Sequence, residues 1–586
     1  MKTRLKKEWK KYAPEIMRVV RLVLLAFLTI DYPMAGKCLV LAIITEVLVG
    51  KGRYDRGLGT FLNIVYINVS WIPIKGYAIF NLTMGVCMVV YFIQIFIILG
   101  SLALKKVDFL RENEKITGNI VIKIRYIVLA VVLIFTAEFG LAVWPYRNTA
   151  KVSDDHKVYF DIEKFYSDKE SCDRATIIDD NGEALRHRIS LIENAKKEII
   201  ISSFIFKADT SGKQVLASLV EAAKRGVKVR ILFDGFNAIS NIEGNPYFMA
   251  LAVQDNVEFR QYSEVSPLAP WKVVSRMHDK YIVADDEVFI LGDRNITDVF
   301  LGVHEEEKTE NRDVLVYNTG GEESAVYELR SYFEDMWQNS ECEEWDAYIY
   351  SGILASIHIA ESELEDIYAK MKKEHPNWLE KINYADITVP TDKVTLLSNP
   401  TNICAKEPYI LYGIGVLMEN AKDKIEIHTP YMVIDEYMYN ILSGASNNAK
   451  VTLMVNSPSK GDNMIGVVDY ILHKGRIMGT GVELREYSGK NAYDGKSILI
   501  DDDISIIGSY TWDYNSTYHN TELMLVIDSK ELNAKLDASH FAYEKDSYQA
   551  QIVEDELDKV LNGKDTSKML QGVFIELFDK YFRFLF

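Results

Sequence analysis

Long uninterrupted apolar runs mark the N-terminal part of the chain. Residues 77–104 are 28 consecutive positions without a charge, and a transmembrane helix needs only about 20 such residues. Residues 126–144 form a second apolar run, which only Glu138 interrupts. Residues 22–49 form a third run, broken by several polar positions. The pattern predicts a membrane anchor of three or four spans.

After about residue 150 the pattern changes to short apolar strands that alternate with helical segments such as 212–225. Alternation of this kind is typical of an α/β domain, in which helices cover both faces of a mixed sheet. The sequence therefore predicts an α/β fold for the body of the protein.

The body also contains an internal repeat, the feature that most strongly constrains its architecture. Three pairs of segments match in the same order: 195–201 with 421–427, 226–232 with 448–454, and 257–260 with 482–485. The expected organisation is a membrane anchor over 1–150, a first half over 151–323, a helical acidic insert over 324–390, a second half over 391–555, and an amphipathic tail over 556–586. Apolar residues at helical spacing in the tail suit either an interfacial helix or a helix docked on the domain.

Charge divides the chain at the same place. Residues 1–150 contain 20 Lys and Arg against 9 Asp and Glu, whereas the remainder contains 46 against 75. The acidic body argues against nucleic-acid binding, which requires a basic face. The basic segments at 2–11 and 105–125 are expected in the cytoplasm. The last span would then carry the body to the extracytoplasmic side of the cell membrane.

Five cysteines are scattered along the chain without a metal-ligand spacing. The sequence therefore predicts neither a zinc site nor a disulfide framework, and no cofactor is expected.

One motif carries candidate chemistry in the first half. His278, Lys280 and Asp285 have the spacing H-x-K-x4-D, and Gly292 and Asn295 follow the histidine by 14 and 17 positions. The three-residue pattern alone is a weak signal. The downstream glycine and asparagine make the match specific.

Together with the Asn-Arg-Asp sequence at 311–313 and the duplicated scaffold, this motif resembles the signature of the phospholipase D superfamily, and most closely that of the bacterial cardiolipin synthases. The resemblance covers most of residues 186–530. It implies two phospholipase D-like halves about a pseudo-twofold axis, with the active site between them. It also implies a phosphatidylglycerol-like phospholipid substrate, a phosphohistidine intermediate, and no metal or cofactor.

The residue types suit a reaction at a phosphodiester. A neutral imidazole such as that of His278 can attack phosphorus, which an anionic nucleophile would do poorly. Lys280 and Asn295 can donate to the non-bridging oxygens, where charge builds in the transition state. Strand alternation places His278 and Lys280 on one face. Asp313 is a candidate for the carboxylate that orients the imidazole.

The second copy of the motif is degenerate. Its retained positions are Lys496, Asp501, Gly508 and Ser509. Asp494 stands where the resemblance implies a second histidine, Thr511 replaces the asparagine, and Asp293 in the first half replaces a small residue. Glu522 matches the acidic residue that supports the second site in this superfamily.

The resulting catalytic set is His278, Lys280, Asp285, Asn295, Asp494, Lys496 and Asp501, with Lys280, Asn295, Lys496 and Ser509 at the substrate phosphate. Three interpretations remain open. Asp494 is a protonated general acid, or the enzyme is slow because the acid is missing, or the protein is an inactive phospholipid-binding pseudoenzyme. The sequence favours a membrane-bound phosphatidyltransferase or phospholipase D-like enzyme over the pseudoenzyme.

Overall fold

The computed structural model describes residues 136–266, 269–302, 308–345, 354–461, 463–553, 556–557 and 582–586. The described residues belong to one compact unit, Phe135–Phe586. Within the described ranges, no helix is both long and apolar enough to cross a membrane. The spans predicted at 22–49 and 77–104, the start of the span at 126–144, and most of the predicted tail lie outside the described residues.

The first half is built on a nine-stranded sheet. The first ten strands are β1 (Asp173–Ile178), β2 (Glu198–Ser203), β3 (Lys228–Asp234), β4 (Val257–Tyr262), β5 (Lys280–Ala284), β6 (Val288–Gly292), β7 (Thr309–Glu310), β8 (Asp313–Asn318), β9 (Cys342–Glu344) and β10 (Val389–Pro390). All except β7 join in the order β10-β1-β8-β6-β5-β2-β3-β4-β9. Strands β9 and β10, from the stretch predicted as a helical insert, form the two edges.

The second half repeats this plan in an eight-stranded sheet. The remaining strands are β11 (Lys393–Ser398), β12 (Lys424–His428), β13 (Lys450–Asn456), β14 (Glu483–Tyr487), β15 (Ala492–Tyr493), β16 (Ser497–Ile500), β17 (Ile504–Gly508), β18 (Leu523–Asp528) and β19 (Ser547–Gln549). The sheet has the order β11-β18-β17-β16-β12-β13-β14-β19. In each sheet three parallel strands, β2-β3-β4 or β12-β13-β14, continue into antiparallel neighbours. The mixed α/β fold with two related halves is therefore confirmed.

Helices cover both sheets. They are α1 (Asp154–Tyr159), α2 (Asn181–Asn194), α3 (Thr210–Lys224), α4 (Gly235–Asn241), α5 (Pro246–Ala252), α6 (Asp298–Leu301), α7 (Ala325–Trp337), α8 (Leu354–Glu374), α9 (Tyr384–Ile387), α10 (Tyr409–Glu419), α11 (Glu436–Asn448), α12 (Met464–Met478) and α13 (Lys530–Glu544). Side-chain caps fix where several of them begin. The Asp180 carboxylate, for example, accepts from the Glu183 amide at the start of α2.

A shared apolar core joins the two halves. It contains residues of both sheets, including Leu291 and Val314 of the first and Ile507 and Leu525 of the second, and all four are at most 1% exposed. Burial of this surface from both sides holds the sheets in a fixed relation. Short backbone pairings complete the junction where β15 pairs in parallel with β7.

The final aspartates of the two motifs lie in equivalent turns. Asp285 follows β5 at φ 52°, and Asp501 follows β16 at φ 51°. This left-handed conformation is several-fold enriched for Asp. The Asp285 carboxylate accepts from the amides of Lys196, Lys197 and Glu198 at 2.7–2.9 Å. Asp501 accepts in the same way from the three amides at 422–424. Each carboxylate therefore anchors the start of a central strand, β2 or β12.

Asp285→Ala should lower the free energy of unfolding by about 1–2 kcal/mol, because three amides lose their acceptor. Turnover per folded molecule should be unchanged. Thermal melting of the purified protein, with the exposed Asp502→Asn as control, measures the first effect. A large loss of turnover at an unchanged melting temperature would instead favour a catalytic role for Asp285.

Candidate active site

His278 is positioned by the opposite half of the molecule. The preceding residue, Met277, forms a parallel β-bridge with Thr521, and the His278 amide donates to the Thr521 carbonyl at 3.3 Å. Next along the second-half segment, a Glu522 carboxylate oxygen lies 2.8 Å from His278 Nδ1. The imidazole that sequence reasoning assigned to the first half-site is thus held by a carboxylate of the second half.

Glu522 is fully buried, whereas the His278 side chain keeps 19% of its surface exposed. The other carboxylate oxygen of Glu522 accepts from the Ser509 hydroxyl. Burial raises the pKa of Glu522 to about 7, although Lys280 and the Ser509 hydroxyl act in the opposite direction. Burial, reinforced by Lys280 and Lys496, lowers the pKa of His278 well below its usual value. The imidazole is therefore neutral near pH 7, as a nucleophile must be.

Two buried lysines occupy equivalent places beside the two motif residues. Lys280 Nζ donates to the His278 carbonyl, and Lys496 Nζ donates to the Asp494 carbonyl, each at 2.6 Å. Burial lowers the pKa of Lys280 to about 8, and the charge of Lys496 contributes. Burial also acts to lower the pKa of Lys496, but Asp494 and Asp293 outweigh it and raise this pKa. The second lysine is therefore the more firmly charged of the two.

Asp494 replaces the second histidine in space as well as in sequence. Its amide donates to the Glu310 carbonyl at 2.7 Å, which matches the bond from the His278 amide to Thr521. One carboxylate oxygen accepts from Lys496 Nζ at 3.0 Å, and the other accepts from Asn311 Nδ2 at 3.3 Å. The Asp494 carboxylate is therefore engaged as a hydrogen-bond acceptor at both oxygens.

Backbone register identifies Asn311 as the counterpart of Glu522. Tyr493 pairs with Glu310, and Met277 pairs with Thr521 in the same way. In each case the residue after the pairing partner, Asn311 or Glu522, contacts the motif position, 494 or 278. Asn311 Nδ2 also donates to Asp293 at 2.7 Å, and Asp293 stands at the position equivalent to Ser509. Sequence reasoning missed this role because the spacing from the motif glycine to Asn311 is 19 residues, against 14 to Glu522.

Asn295 is buried, and it is linked to His278 through Phe204 and Ile205. The Ile205 amide donates to its side-chain oxygen at 3.1 Å. The preceding ring, Phe204, meets the His278 ring edge-on at 4.8 Å. Because the oxygen is in use, the Nδ2 group is what Asn295 can offer to a ligand. Its place at the substrate phosphate stays a prediction.

The matched regions agree with this geometry. Residues 189–337 and 415–542 match the family described as cardiolipin synthase, PLD-like domain. The two matched segments contain both motif copies and leave out the N-terminal region. The chain belongs to the phospholipase D superfamily.

Within that superfamily the chain is cardiolipin synthase-like. It is 24% identical to cardiolipin synthase C of Escherichia coli, over 61% of this chain and 81% of that protein. It is 25% identical to an uncharacterized protein of Helicobacter pylori, over 69% of this chain and 86% of that protein. The fold resembles that of phosphatidylserine synthase from Haemophilus influenzae, with a TM-score of 0.53 at 15% identity, over 70% of this chain and 95% of that one.

Three predicted site residues of this superfamily member have other partners than expected. Asp313 does not orient the imidazole. It pairs with Arg188 at 2.9 Å and Arg294 at 3.2 Å, which overcome the effect of burial and lower its pKa. Glu522 supports His278 rather than the second motif position, and the Ser509 hydroxyl donates to Glu522.

Asp285 and Asp501 are not brought to the site, because their carboxylates bind backbone amides at the far ends of β5 and β16. His519 also stays out of it. Its Nδ1 lies 2.8 Å from Asn515 Oδ1, and its ring packs against Tyr146. Hydrogen bonds join the site residues into two clusters, one of His278, Lys280, Ser509 and Glu522 and the other of Asp293, Asn311, Asp494 and Lys496. The charges of Lys496 and Asp494 in the second cluster act on the pKa of His278 in the first.

The rate of any reaction at His278 should follow a bell-shaped pH profile. Below about pH 7, Glu522 gains a proton; the imidazole then loses the acceptor that keeps its own proton on Nδ1, and its Nε2 is no longer free to attack. Above about pH 8, Lys280 loses its charge. The pH dependence of kcat/KM measures both limbs.

Two variants assign those limbs. Glu522→Gln should remove the acidic limb together with most of the activity, and Lys280→Arg should shift the basic limb upward because arginine stays charged. A profile that is flat from pH 6 to 9 in the unmodified protein would contradict both assignments.

Proposed function

We propose that the protein is a membrane-bound phospholipid phosphatidyltransferase or phospholipase D-like enzyme that works through a phosphohistidine on His278. The observation that carries this proposal is the 2.8 Å contact between His278 Nδ1 and Glu522, which leaves Nε2 of a neutral ring available for attack. The name of the Escherichia coli relative, cardiolipin synthase C, supports a phospholipid substrate. The apolar segments within residues 1–150 would hold the site close to lipid headgroups.

In the first step His278 Nε2 attacks phosphorus, and the bond to the headgroup oxygen breaks. The Nδ1 proton stays on the ring, where the Glu522 carboxylate stabilises the positive charge of the phosphohistidine. Lys280, Lys496 and Asn295 donate to the non-bridging oxygens as their charge grows. In the second step the hydroxyl of an alcohol or of water attacks the phosphorus, the bond from phosphorus to His278 Nε2 breaks, and the hydroxyl proton passes to solvent. An alcohol gives a new phospholipid, for instance cardiolipin from two phosphatidylglycerols, and water gives hydrolysis.

Asp494 stands in place of the histidine that would protonate the departing alkoxide in the first step. In the two-histidine arrangement that role falls to the second histidine, and general acid catalysis is typically worth about 10²–10⁴-fold. Here Asp494 accepts bonds from Lys496 and Asn311. We therefore infer a slow reaction for headgroups that depend on an enzymatic acid.

A non-catalytic phospholipid-binding protein is the second candidate. The Asp494–Lys496 contact favours it, because the lysine is already paired with a carboxylate before any phosphate binds. The two candidates differ in whether phosphate becomes covalently attached to His278.

His278→Ala should abolish phosphatidyl transfer and hydrolysis, by about 10³-fold or more, because the nucleophile is removed. The measurement is release of labelled headgroup by the purified full-length protein in detergent–lipid micelles. Denaturing the protein at neutral to alkaline pH, where the phosphorus–nitrogen bond is stable, detects phosphohistidine in parallel when the lipid carries a phosphate label. The exposed His358→Ala serves as the matched control. Absence of turnover and of covalent phosphate in the unmodified protein would favour the binding protein.

Repair of the second half-site should require three changes at once. Asp494→His alone should gain little, because the new imidazole would face the Asn311 amide instead of a carboxylate. Asp494→His combined with Asn311→Glu and Asp293→Ser recreates the His-Glu-Ser contacts of the intact half-site. The triple variant should raise the release of glycerol from phosphatidylglycerol by up to about 10²–10⁴-fold. A single variant as active as the triple would show that the supporting pair is dispensable.

A further inference from the structure

In the degenerate half-site the direction of the hydrogen bonds is opposite to that in the intact half-site: the central residue donates instead of accepting. In the intact half-site the central Glu522 carboxylate accepts from Ser509 and is in contact with the ring nitrogen of His278. In the other, the central Asn311 amide donates to both flanking carboxylates, Asp293 and Asp494. Three positions have changed together, each from donor to acceptor or the reverse. We call the hydrogen-bonded set Asp293, Asn311 and Asp494 the acidic wall. It presents a carboxylate at the position where the intact half-site presents the nucleophile His278.

This wall keeps an accessible anionic group. The Asp494 side chain is 26% exposed, while its partner Lys496 is 4% exposed. Asp494 is also close enough to His278 to raise the pKa of its imidazole, against burial and the two lysines. The Asp494 charge therefore acts within the space between the two half-sites, which contains His278 and the two lysines.

A substrate phosphate alone would fit this space poorly. It would be drawn to Lys280 and Lys496 but repelled by the Asp494 carboxylate. A headgroup that carries a cation close to its phosphate reverses that penalty, because the phosphate can face the lysines while the cation faces Asp494. The charge pattern thus matches a zwitterionic headgroup better than a neutral polyol.

Resting on the proposed function, we propose that Asp494, held by Asn311, is a specificity residue that binds the primary ammonium of an amino-alcohol phospholipid such as phosphatidylethanolamine. The ammonium then supplies the proton for the departing alkoxide, which the second histidine would otherwise supply. His278 Nε2 bonds to phosphorus, the bond from phosphorus to the headgroup oxygen breaks, and that oxygen takes a proton from its own ammonium. A neutral amino alcohol leaves, and the enzyme keeps a cationic phosphohistidine. In the second step an attacking hydroxyl bonds to phosphorus, the bond from phosphorus to Nε2 breaks, and the hydroxyl proton passes to Asp494, which returns it to solvent.

A comparison of three headgroups tests this assignment. The purified full-length protein is given ethanolamine, choline or glycerol phospholipids with identical acyl chains, and release of each headgroup is measured. The choline headgroup has the same charge but no N–H proton, so it should bind and turn over about 10²-fold or more slowly. The glycerol headgroup lacks the cation and should also be slow. Faster turnover of choline or glycerol lipid than of ethanolamine lipid would overturn the proposal.

Variants separate this proposal from the general function. Asp494→Asn should raise KM for the ethanolamine lipid several-fold and lower the ratio of its turnover rate to that of the glycerol lipid. The exposed Asp502→Asn should change neither this KM nor this ratio. The triple repair variant should process all three lipids at similar rates, since it carries its own acid. Equal turnover of the three lipids by the unmodified protein, abolished by His278→Ala, would reject the headgroup assignment and keep the proposed function. No turnover and no phosphohistidine with any lipid would reject both.

Discussion

The contact between His278 and Glu522 is the constraint on which the rest of the site depends. A carboxylate that is fully buried is costly unless donors surround it, and Glu522 has the imidazole and the Ser509 hydroxyl. The two residues come from different halves, so the contact exists only while the sheets keep their register. The shared core of Leu291, Val314, Ile507 and Leu525 provides that register. Packing between the two sheets therefore determines the state of the nucleophile.

Burial also makes the two chemically identical lysines different. Lys280 lies beside a neutral imidazole and is easily discharged, whereas Lys496 lies beside Asp494 and Asp293 and remains charged. A symmetric fold thus supports an asymmetric electrostatic field. The asymmetry comes from only a few side chains, because the backbone pairings around positions 278 and 494 are the same in both halves.

The sequence predicted what local patterns can encode. Strand alternation and the repeat predicted two related α/β halves, and the motif spacing predicted that His278, Lys280 and Lys496 share one site. What it could not predict was the exchange between halves, since His278 and Glu522 are 244 positions apart and no local pattern joins them.

Two further site residues have partners that the sequence did not indicate, and the physical cause is the same. Asp313 lies close to the motif in sequence, but Arg188 on α2 and Arg294 compensate its charge, and the sequence gives no sign of that packing. Asp285 has the motif spacing, yet the spacing alone cannot distinguish a turn carboxylate from a catalytic one. The predicted anchor at 1–150 lies almost wholly outside the described residues and stays a prediction.

In each half-site the motif residue comes from one half and its supporting residue from the other. This arrangement has a consequence for which substitutions the chain can accept. Asp494 and its supporting residue Asn311 are encoded 183 codons apart, on opposite sides of the junction between the halves. A lesion in one half is therefore relieved, or made permanent, by substitutions in the other. The two repeats therefore cannot be compared as independent units, because the side chain at position 494 is supported by a residue of the other half.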